Sequence, residues 1–348
     1  MAHVYGHILV WNDRHYLPDL LESIEAQTYE DFTLRILENG STDDTYEYLS
    51  EKAPRTVVAR NTKNAGFAGG HNQLIKYTLD HMPETDPVHT YILIANADMI
   101  WKNNLVANLV EALEQNPDKA AAQPKLYRAF GEDQGIEDFT ETIKSDVIDT
   151  TGLHIGKNWR MSDRGAGEMD AGQYDIKTDV FAASGTMMLI RLSALREVMM
   201  GDDFYDSDFF AYREDCDIAM RMHGAGMKSL FVPSAHAWHY RGMYGAENQN
   251  WVQRIKNRRG QRPFFAALSS RNQLLFLMKH LTPGHLFRYG LWIVPTEGLR
   301  TLYGMLMEPM TRGRLLEIPR MLPKTLEKRK EIYARRTESP SSLKKYVS

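Results

Sequence analysis

The sequence predicts an α/β fold in which a largely parallel sheet is covered by helices on both faces. Up to Asp98, short β-prone runs alternate with segments of helical periodicity, the pattern that parallel strands and their crossover helices produce. Tyr91 to Ala95 is a continuous apolar run, as expected for a strand buried on both faces. After about Gly260 the pattern changes to helical segments that mix large apolar residues with Arg and Lys.

The first helix is the clearest single element. Apolar residues recur from Leu17 to Ile24 at the spacing of one helical face, and Pro18 stands where a first turn tolerates proline. A second apolar face, from Leu105 to Leu113, predicts the helix after the Tyr91 strand. The other predicted strands are 7–10, 34–37, 56–59, 187–190 and 229–232, and further helices follow Ser193 and begin near Glu214.

Residues 131–179 are polar and rich in glycine, without clear periodicity. Loops of this length are usually functional or disordered, and we interpret this one as an ordered excursion over the active site. The predicted organisation is an α/β domain, 1–260, followed by a helical and basic C-terminal extension, 261–348.

Composition excludes several classes of protein. The 348 residues carry 42 Lys and Arg against 45 Asp and Glu, and the net charge of −3 argues against nucleic-acid binding. The single cysteine, Cys216, excludes a disulfide framework and a multi-cysteine zinc site. No secretory signal is visible, and no apolar run approaches the roughly 18 residues of a spanning helix. We expect a cytoplasmic protein, at the inner face of the cell membrane if it is peripheral to one.

Two acidic motifs lie where chemistry is expected. Asn96-Ala97-Asp98 directly follows a buried strand, where a carboxylate can ligate Mg²⁺ or Mn²⁺, although Asn and Asp also favour ordinary turns. Glu214, Asp215 and Asp217 open a helix. Acids there favour the helix dipole, but clustered carboxylates also raise one another's pKa and so can supply a base. Each motif by itself is explained as well by structure as by function.

Two further motifs are equally ambiguous alone. His236 and His239 follow a predicted strand, and imidazole suits Mn²⁺, but single histidines are more often packed or solvated. Three glycines between Gly66 and Gly70 permit a turn that cradles phosphate. The segment is neither a P-loop nor a dinucleotide-binding fingerprint, because the spacings of both motifs are missing.

Taken in order, these motifs resemble the inverting family 2 glycosyltransferases of the GT-A fold, and most closely their rhamnosyltransferase-like branch. The resemblance extends from the first strand to about Tyr240. Its matching segments are 10–17, Gln27-Thr28-Tyr29, Glu38 to Asp43, Asn64 to Gly70, Asn96-Ala97-Asp98, Arg164 to Asp175, Ser184-Gly185, Glu214 to Asp217 and His239. The Asn64 to Gly70 and Glu214 to Asp217 segments are the most specific.

The resemblance implies a role for each matching position. The nucleotide-sugar-binding residues would be Asp13, Glu38, Asn64, Gly66, Gly69, Gly70, Asn96 and Asp98. Asp98 and His239 would hold the divalent metal, with Asn96 standing where the family's motif commonly has its first Asp. Asp215 would be the catalytic base, with Glu214 or Asp217 shaping its pKa. Substrate contacts are also expected from Arg164, Glu168 and Asp170.

The implied function is transfer of a sugar from a nucleotide diphosphate donor to a hydroxyl of a glycan or lipid-linked acceptor, in cell-surface polysaccharide synthesis. The favoured donor is dTDP-rhamnose, and UDP-galactose or UDP-galactofuranose are its rivals. A non-catalytic nucleotide-sugar-binding or scaffold protein is an alternative, supported by the missing first Asp. A nucleotidyltransferase ranks third, because the chain lacks a basic, Gly-rich triphosphate loop near its first strand.

The C-terminal extension leaves two interpretations open. Large apolar residues gather between Leu286 and Val294, which suits a helical cap or a contact in a homo-oligomer. The same residues beside the basic stretch Lys324 to Arg336 also suit helices that lie on a membrane surface. From Arg320 to Ser348 the chain has nine Lys and Arg against three Asp and Glu.

Overall fold

The computed structural model describes residues 2–83, 86–133, 140–240 and 263–348. The chain forms two compact units. The first consists of Met1–Leu153, Asp163–Glu197 and Lys228–Tyr244, and the second of His154–Ser162, Val198–Met227 and Gly245–Ser348. The units therefore divide the chain elsewhere than at residue 260, because Val198–Met227 groups with the C-terminal helices.

The strands and helices alternate along the first half of the chain. The strands are β1 (His3–Val10), β2 (Phe32–Glu38), β3 (Val57–Arg60), β4 (Thr90–Asn96), β5 (Met99–Trp101), β6 (Lys119–Asp133), β7 (Thr140–Thr150), β8 (Leu153–Ile155), β9 (Met161–Asp163), β10 (Asp179–Val180), β11 (Met187–Arg191) and β12 (Lys228–His239). The helices are α1 (Leu17–Glu25), α2 (Thr45–Lys52), α3 (Gly66–His81), α4 (Leu105–Gln115), α5 (Leu192–Val198), α6 (Glu214–Gly224), α7 (Pro263–His280), α8 (Pro283–Met307), α9 (Pro309–Leu315) and α10 (Ile318–Ala334).

A mixed, mostly parallel sheet forms the centre of the first unit. Its strand order is β10-β12-β6-β11-β4-β1-β2-β3, with β5 beside β12 and β7 beside β6. Strands β4, β1, β2 and β3 run parallel, as do β6 and β12, whereas β11 is antiparallel to both of its neighbours. Helix α3 packs on β1 and β2, and α4 on β6 and β12. The predicted α/β fold class is confirmed.

Close packing explains two features of the sheet and its helices. The apolar face predicted for α1 is buried, including Leu17 and Ile24. Gly6 lies against the Phe32 ring of the neighbouring strand, where a Cβ would come within 2.4 Å of a ring carbon. A larger residue at Gly6 would therefore require the Phe32 ring to move.

Two segments are more regular than the sequence predicts. Residues 131–179 were expected to lack regular structure, and that expectation is wrong in part, because β6 and β7 pair as an antiparallel hairpin. Strand β12 also extends well beyond the predicted Val232. It passes Pro233 through a register shift between Val232 and His236, which accommodates the missing proline N–H.

Helices dominate the second unit. Helix α7 contacts α6, α8, α9 and α10. Its buried residues include Leu268, Leu275 and Phe276. Across the described residues, no helix combines the length and the apolar character that crossing a membrane requires.

Candidate active site

Polar side chains follow three parallel strands of the first unit at their carboxyl ends. Asp13 follows β1, Glu38 ends β2, and Asn96 ends β4, two residues before Asp98. Parallel strands bring these ends to the same edge of a sheet, which is where ligands bind in open α/β folds.

His239, the last residue of β12, connects two carboxylates. Its Nε2 lies 3.1 Å from Asp98 Oδ1, and its Nδ1 lies 2.8 Å from Asp149 Oδ2. The Asn96 amide nitrogen lies 3.5 Å from the same Nε2. Because a carboxylate only accepts, the Nδ1–H of His239 donates to Asp149, which fixes the ring with Nε2 facing Asp98.

The charges around His239 determine its protonation in the absence of a cation. Burial lowers the pKa of His239, but Asp98 and the hydrogen bonds to both carboxylates outweigh it and raise the pKa to about 10. The ring is therefore an imidazolium when no metal is bound. A divalent cation would replace the Nε2 proton, since metals bind neutral imidazole.

Asp13 is close enough to Asp98 to be influenced by its charge. Burial raises the pKa of Asp13 to about 7, against a lowering by the Trp11 N–H, and the charges of Asp98 and Asp43 add to the rise. The Trp11 N–H donates to Asp13 Oδ2 at 2.8 Å. Negative charge is thus concentrated at this edge of the sheet, as expected where a cation binds.

The donor set at this edge fits a divalent metal. Asp98 supplies carboxylate oxygen and His239 supplies Nε2, with the second ring nitrogen held by Asp149 in the manner usual for metal-binding histidines. Among the described residues, no three His, Cys, Asp or Glu side chains are grouped so that they could hold a metal ion. The remaining coordination positions would be left to a ligand and water.

Glu38 and Asn39 organise the loops beside this edge. Glu38 is fully buried, and its two carboxylate oxygens accept from the Ser41 N–H and from Arg60 Nε. Asn39 donates to Asn64 Oδ1 at 3.0 Å and accepts from the Ala65 N–H at 3.0 Å. Predicted nucleotide-binding residues Glu38 and Asn64 are therefore tied to one hydrogen-bonded network.

The glycine run does not form the turn that the sequence suggested. Gly66, Gly69 and Gly70 lie in the first part of α3, and Gly66 has a φ of +78° that favours glycine. A Cβ on Gly70 would come within 2.4 Å of Leu9, so this glycine lets α3 approach β1 closely. The expectation of a turn is wrong, although the N–H groups that begin a helix also suit phosphate.

The three predicted substrate contacts of the 131–179 segment have partners within the first unit. Arg164 donates to Thr151 Oγ1 at 2.9 Å and to two backbone carbonyls. Asp170 accepts from Lys125 at 2.8 Å and from Tyr127 at 2.6 Å. Glu168 accepts from Tyr174 at 2.9 Å. Each side chain thus helps to hold the segment in shape.

In the second unit, α6 begins with carboxylates in unlike surroundings. Glu214 is buried, and burial and the charge of Asp215 raise its pKa to about 8. Its Oε2 has no hydrogen-bond partner among the described residues. Asp215 is only half-buried, and its Oδ1 accepts from the Cys216 N–H at 2.7 Å.

Asp217 is enclosed by basic side chains. It is fully buried, with Lys279 Nζ at 2.5 Å, His280 Nε2 at 2.7 Å and Arg221 Nε at 3.0 Å. Burial alone would raise the pKa of Asp217, but Lys279 and Arg221 hold it well below its usual range. This carboxylate connects α6 to α7.

The backbone before α6 is strained and is held by α7. Phe210, Tyr212 and Arg213 all have positive φ, between 65° and 77°, which costs energy for residues with a side chain. Asn272 is fully buried, and its amide nitrogen lies 2.8 to 2.9 Å from the carbonyl oxygens of Phe209, Ala211 and Tyr212. Asn272 therefore fixes the loop that presents Glu214 and Asp215.

Comparison with known proteins assigns the family. The model of glycosyl transferase family 2 matches residues 7–199. The chain belongs to this family. As a family 2 glycosyltransferase, it has Asp13, Glu38, Asn64, Asp98 and Arg164 inside the matched segment, whereas α6 and His239 lie beyond it. The predicted resemblance to this family is confirmed.

Two curated family relatives are rhamnosyltransferases. An N-acetylglucosaminyl-diphospho-decaprenol L-rhamnosyltransferase of Mycobacterium tuberculosis is 24% identical over 230 residues, which cover 65% of this chain and 72% of the relative. The rhamnosyltransferase WbbL of Escherichia coli K12 is 24% identical over 241 residues, 62% of this chain and 81% of the relative.

A solved structure shows the same fold. The crystal structure of GalNAc-T7 with UDP, GalNAc and Mn²⁺ aligns with a TM-score of 0.58 and 13% identity, over 93% of this glycosyltransferase. This chain spans 58% of the length of that structure. The likeness shows the GT-A fold that the sequence predicted.

Sequence reasoning did not identify Asp149, Asn39 or Asn272 as parts of the site. Asp149 is 90 residues from His239 in the chain and meets it only because β7 and β12 belong to one sheet. Asn39 lay inside a recognised segment but was assigned no role. Asn272 lies in the C-terminal extension, where no site residue was predicted, and only its contacts with the strained backbone before α6 reveal what it does.

Proposed function

We propose that this family 2 glycosyltransferase transfers rhamnose from dTDP-rhamnose, with inversion, to a hydroxyl of a lipid-diphosphate-linked glycan. The observation that carries the proposal is the Asp98–His239–Asp149 group at the strand ends, which suits a metal-bound diphosphate. The rhamnosyltransferase relatives support the sugar, and the mycobacterial relative's name supports the acceptor class.

The donor would be held by residues of the first unit. Asp13 and the loop organised by Glu38 and Asn64 would contact the nucleotide, and the N–H groups beginning α3 would face phosphate. Asp98 and His239 would hold Mg²⁺ or Mn²⁺, with Asn96 beside them. The bound cation would stabilise negative charge on the departing diphosphate as a Lewis acid.

Asp215 would act on the acceptor. It would take the proton of the attacking hydroxyl while that oxygen bonds to the anomeric carbon and the bond to the diphosphate breaks. A single displacement inverts the anomeric centre, so no covalent nucleophile is required. Glu214, protonated at neutral pH, would leave Asp215 as the base, while Asp217 would serve α6 structurally through its cations.

A second candidate function is a non-catalytic nucleotide-sugar-binding protein. Asn96 favours it, because the amide replaces one anionic ligand and weakens metal binding. The contacts by which Asn272 holds the loop before α6 argue against this candidate, because a binding protein would not require them. UDP-galactose and UDP-galactofuranose remain the alternative donors.

A thermal-shift screen of dTDP, UDP and GDP, and of their sugar conjugates, with and without Mn²⁺, tests the donor assignment. A ligand that binds the folded state raises the unfolding midpoint by mass action. We expect the largest metal-dependent shift with dTDP-rhamnose. A larger shift with a UDP-sugar would reassign the donor, and no shift with any nucleotide would reject the transferase proposal.

A matched pair of histidine variants tests the metal site. His236 lies on the same strand as His239, but its Nε2 contacts the Pro233 carbonyl oxygen at 2.6 Å, away from both carboxylates. His239→Ala should remove the Mn²⁺-dependent part of the nucleotide shift, and His236→Ala should retain it. Equal behaviour of the two variants would contradict the assignment of His239.

A further inference from the structure

Helix α8 buries one narrow side and leaves the opposite side in water. Its buried residues are His285, Tyr289, Ile293, Glu297 and Gly304. The other side carries exposed apolar residues along its whole length, here called the α8 apolar face: Phe287, Leu291, Val294, Leu299, Leu302 and Leu306. Phe287 is 96% exposed and Leu291 84%.

Such a face is unusual for a protein surface. The helix has 25 residues, which at about 1.5 Å per residue is roughly 37 Å of continuous apolar surface. Fully burying one side chain of this size contributes about 1.5–3 kcal/mol. Contiguous apolar patches of this extent mark interaction sites, so the α8 apolar face has an occupant.

The charges beside the face are cationic. The charged residues of α8 are Arg288, Glu297 and Arg300, and Glu297 is buried and paired with Arg160 Nη1 at 2.6 Å. Exposed Arg288 also lines, with Lys344, a cavity of about 520 Å³ at the beginning of the helix. The surface thus presents apolar side chains and positive charge without an exposed acid on α8.

The basic stretch expected to meet a membrane is used differently. Lys324 pairs with Asp208 at 2.7 Å, and Lys328 pairs with Asp206 and Asp208. Arg329 donates to the carbonyl oxygens of Met278 and Lys279. These cations hold the second unit together, so the cations of the proposed surface are Arg288 of α8 and Lys344, which line the same cavity.

We propose that the α8 apolar face docks on an anionic lipid bilayer and lies in its interface. Interfacial helices combine an apolar face with cations, and each cation near an anionic surface contributes about 1 kcal/mol. A second copy of the chain is the competing occupant, which the experiment below distinguishes from a bilayer. Docking would bring the transferase to a lipid-linked acceptor, and in that respect it rests on the proposed function.

Vesicle co-sedimentation of the full chain tests this surface. The vesicles are pure phosphatidylcholine, or equal parts phosphatidylcholine and phosphatidylglycerol. We expect binding to the anionic vesicles that weakens with salt, and a loss of about 10²- to 10⁴-fold in Phe287→Ser/Leu291→Ser, given the burial of two side chains. Ile176→Ser is the matched control, since Ile176 is 94% exposed but lies in the first unit.

The outcomes separate this inference from the proposed function. Absence of binding to anionic vesicles, or equal binding by Phe287→Ser/Leu291→Ser and Ile176→Ser, would overturn it. A dimer that sedimentation shows to dissociate in the double variant would overturn it too, by identifying a second copy as the occupant. The nucleotide-dependent thermal shift should be unchanged in the double variant, which shows that it folds and that donor binding stands or falls separately.

Discussion

The carboxylates around His239 in the first unit and those at the start of α6 in the second are neutralised in different ways. Asp98 and Asp149 share one imidazole and lie near a third acid, Asp13, so this group has negative charge to offer a cation. In α6, Asp217 is enclosed by three basic side chains and Glu214 holds a proton.

The difference shows that the charged and buried surroundings of a carboxylate determine which chemical role it can have. A shared histidine leaves net negative charge, which suits a metal and a diphosphate. Asp217 is held by its basic partners and Glu214 is protonated, which is why the proposed function assigns the role of base to Asp215. Each of the following variants removes one part of this contrast.

Asp215→Asn should have the largest effect. An amide cannot accept the acceptor's proton, and a general base contributes roughly 10²- to 10⁴-fold, so kcat should fall about 1,000-fold. Turnover is measured as release of nucleotide diphosphate. Donor binding, followed by thermal shift, should be retained. Near-normal turnover would remove Asp215 from the mechanism.

Asp217→Asn should unfold the second unit more readily, by about 3–5 kcal/mol, because it leaves buried Arg221 without its carboxylate and Lys279 with Asp206 alone. Denaturant unfolding measures the loss. Asp215→Asn is the matched control, since Asp215 is half-buried and should cost far less stability. Equal losses in the two variants would mean that the cations around Asp217 are not what stabilises α6.

Asp149→Asn should weaken metal-dependent donor binding by about 10- to 100-fold, since loss of the partner of a metal-binding histidine has an effect of that size. The change leaves Asp98 and His239 in place. Titration of Mn²⁺ at fixed nucleotide concentration measures the affinity. An unchanged Mn²⁺ affinity would show that Asp149 only packs against β12.

The two groups also differ in how many of their residues could be predicted from the sequence. Glu38 and Asp98 were noted because they stand at the ends of predicted strands, and the resemblance to the family implied their roles and that of Asp13. Asp149 was not predicted, because β7 is a strand of mixed polarity and His239, the partner of Asp149, lies 90 residues further along the chain. Local patterns therefore predicted the strand ends, while long-range pairing decided which acid meets His239.

The same limit applies to α6. The acidic residues of α6 and the start of the helix were predicted from the sequence. The sequence gives no sign, however, that Asp217 is buried among Lys279, His280 and Arg221. Lys279 and His280 belong to α7, about sixty residues further along the chain than Asp217. The backbone strain at Tyr212 and Arg213 is likewise invisible in the sequence, since neither residue type favours positive φ.

Glu214→Gln should change stability alone, and the size of its effect depends on pH. Burial and the charge of Asp215 raise the folded-state pKa of Glu214 to about 8, above its ordinary value of 4.5. The unfolded chain therefore loses this proton first as pH rises. In the wild-type protein, the contribution of Glu214 to the free energy of unfolding is fully present below pH 4.5 and is lost as pH rises through about 8.

The glutamine variant has no proton to lose at this position. Its free energy of unfolding should therefore increase relative to that of the wild type as pH rises between these two values. The slope is at most about 1.4 kcal/mol per pH unit. Denaturant unfolding of both proteins across this range measures the difference. A difference that stays constant with pH would mean that Glu214 is ionised in the folded protein, and it would then compete with Asp215 for the role of base.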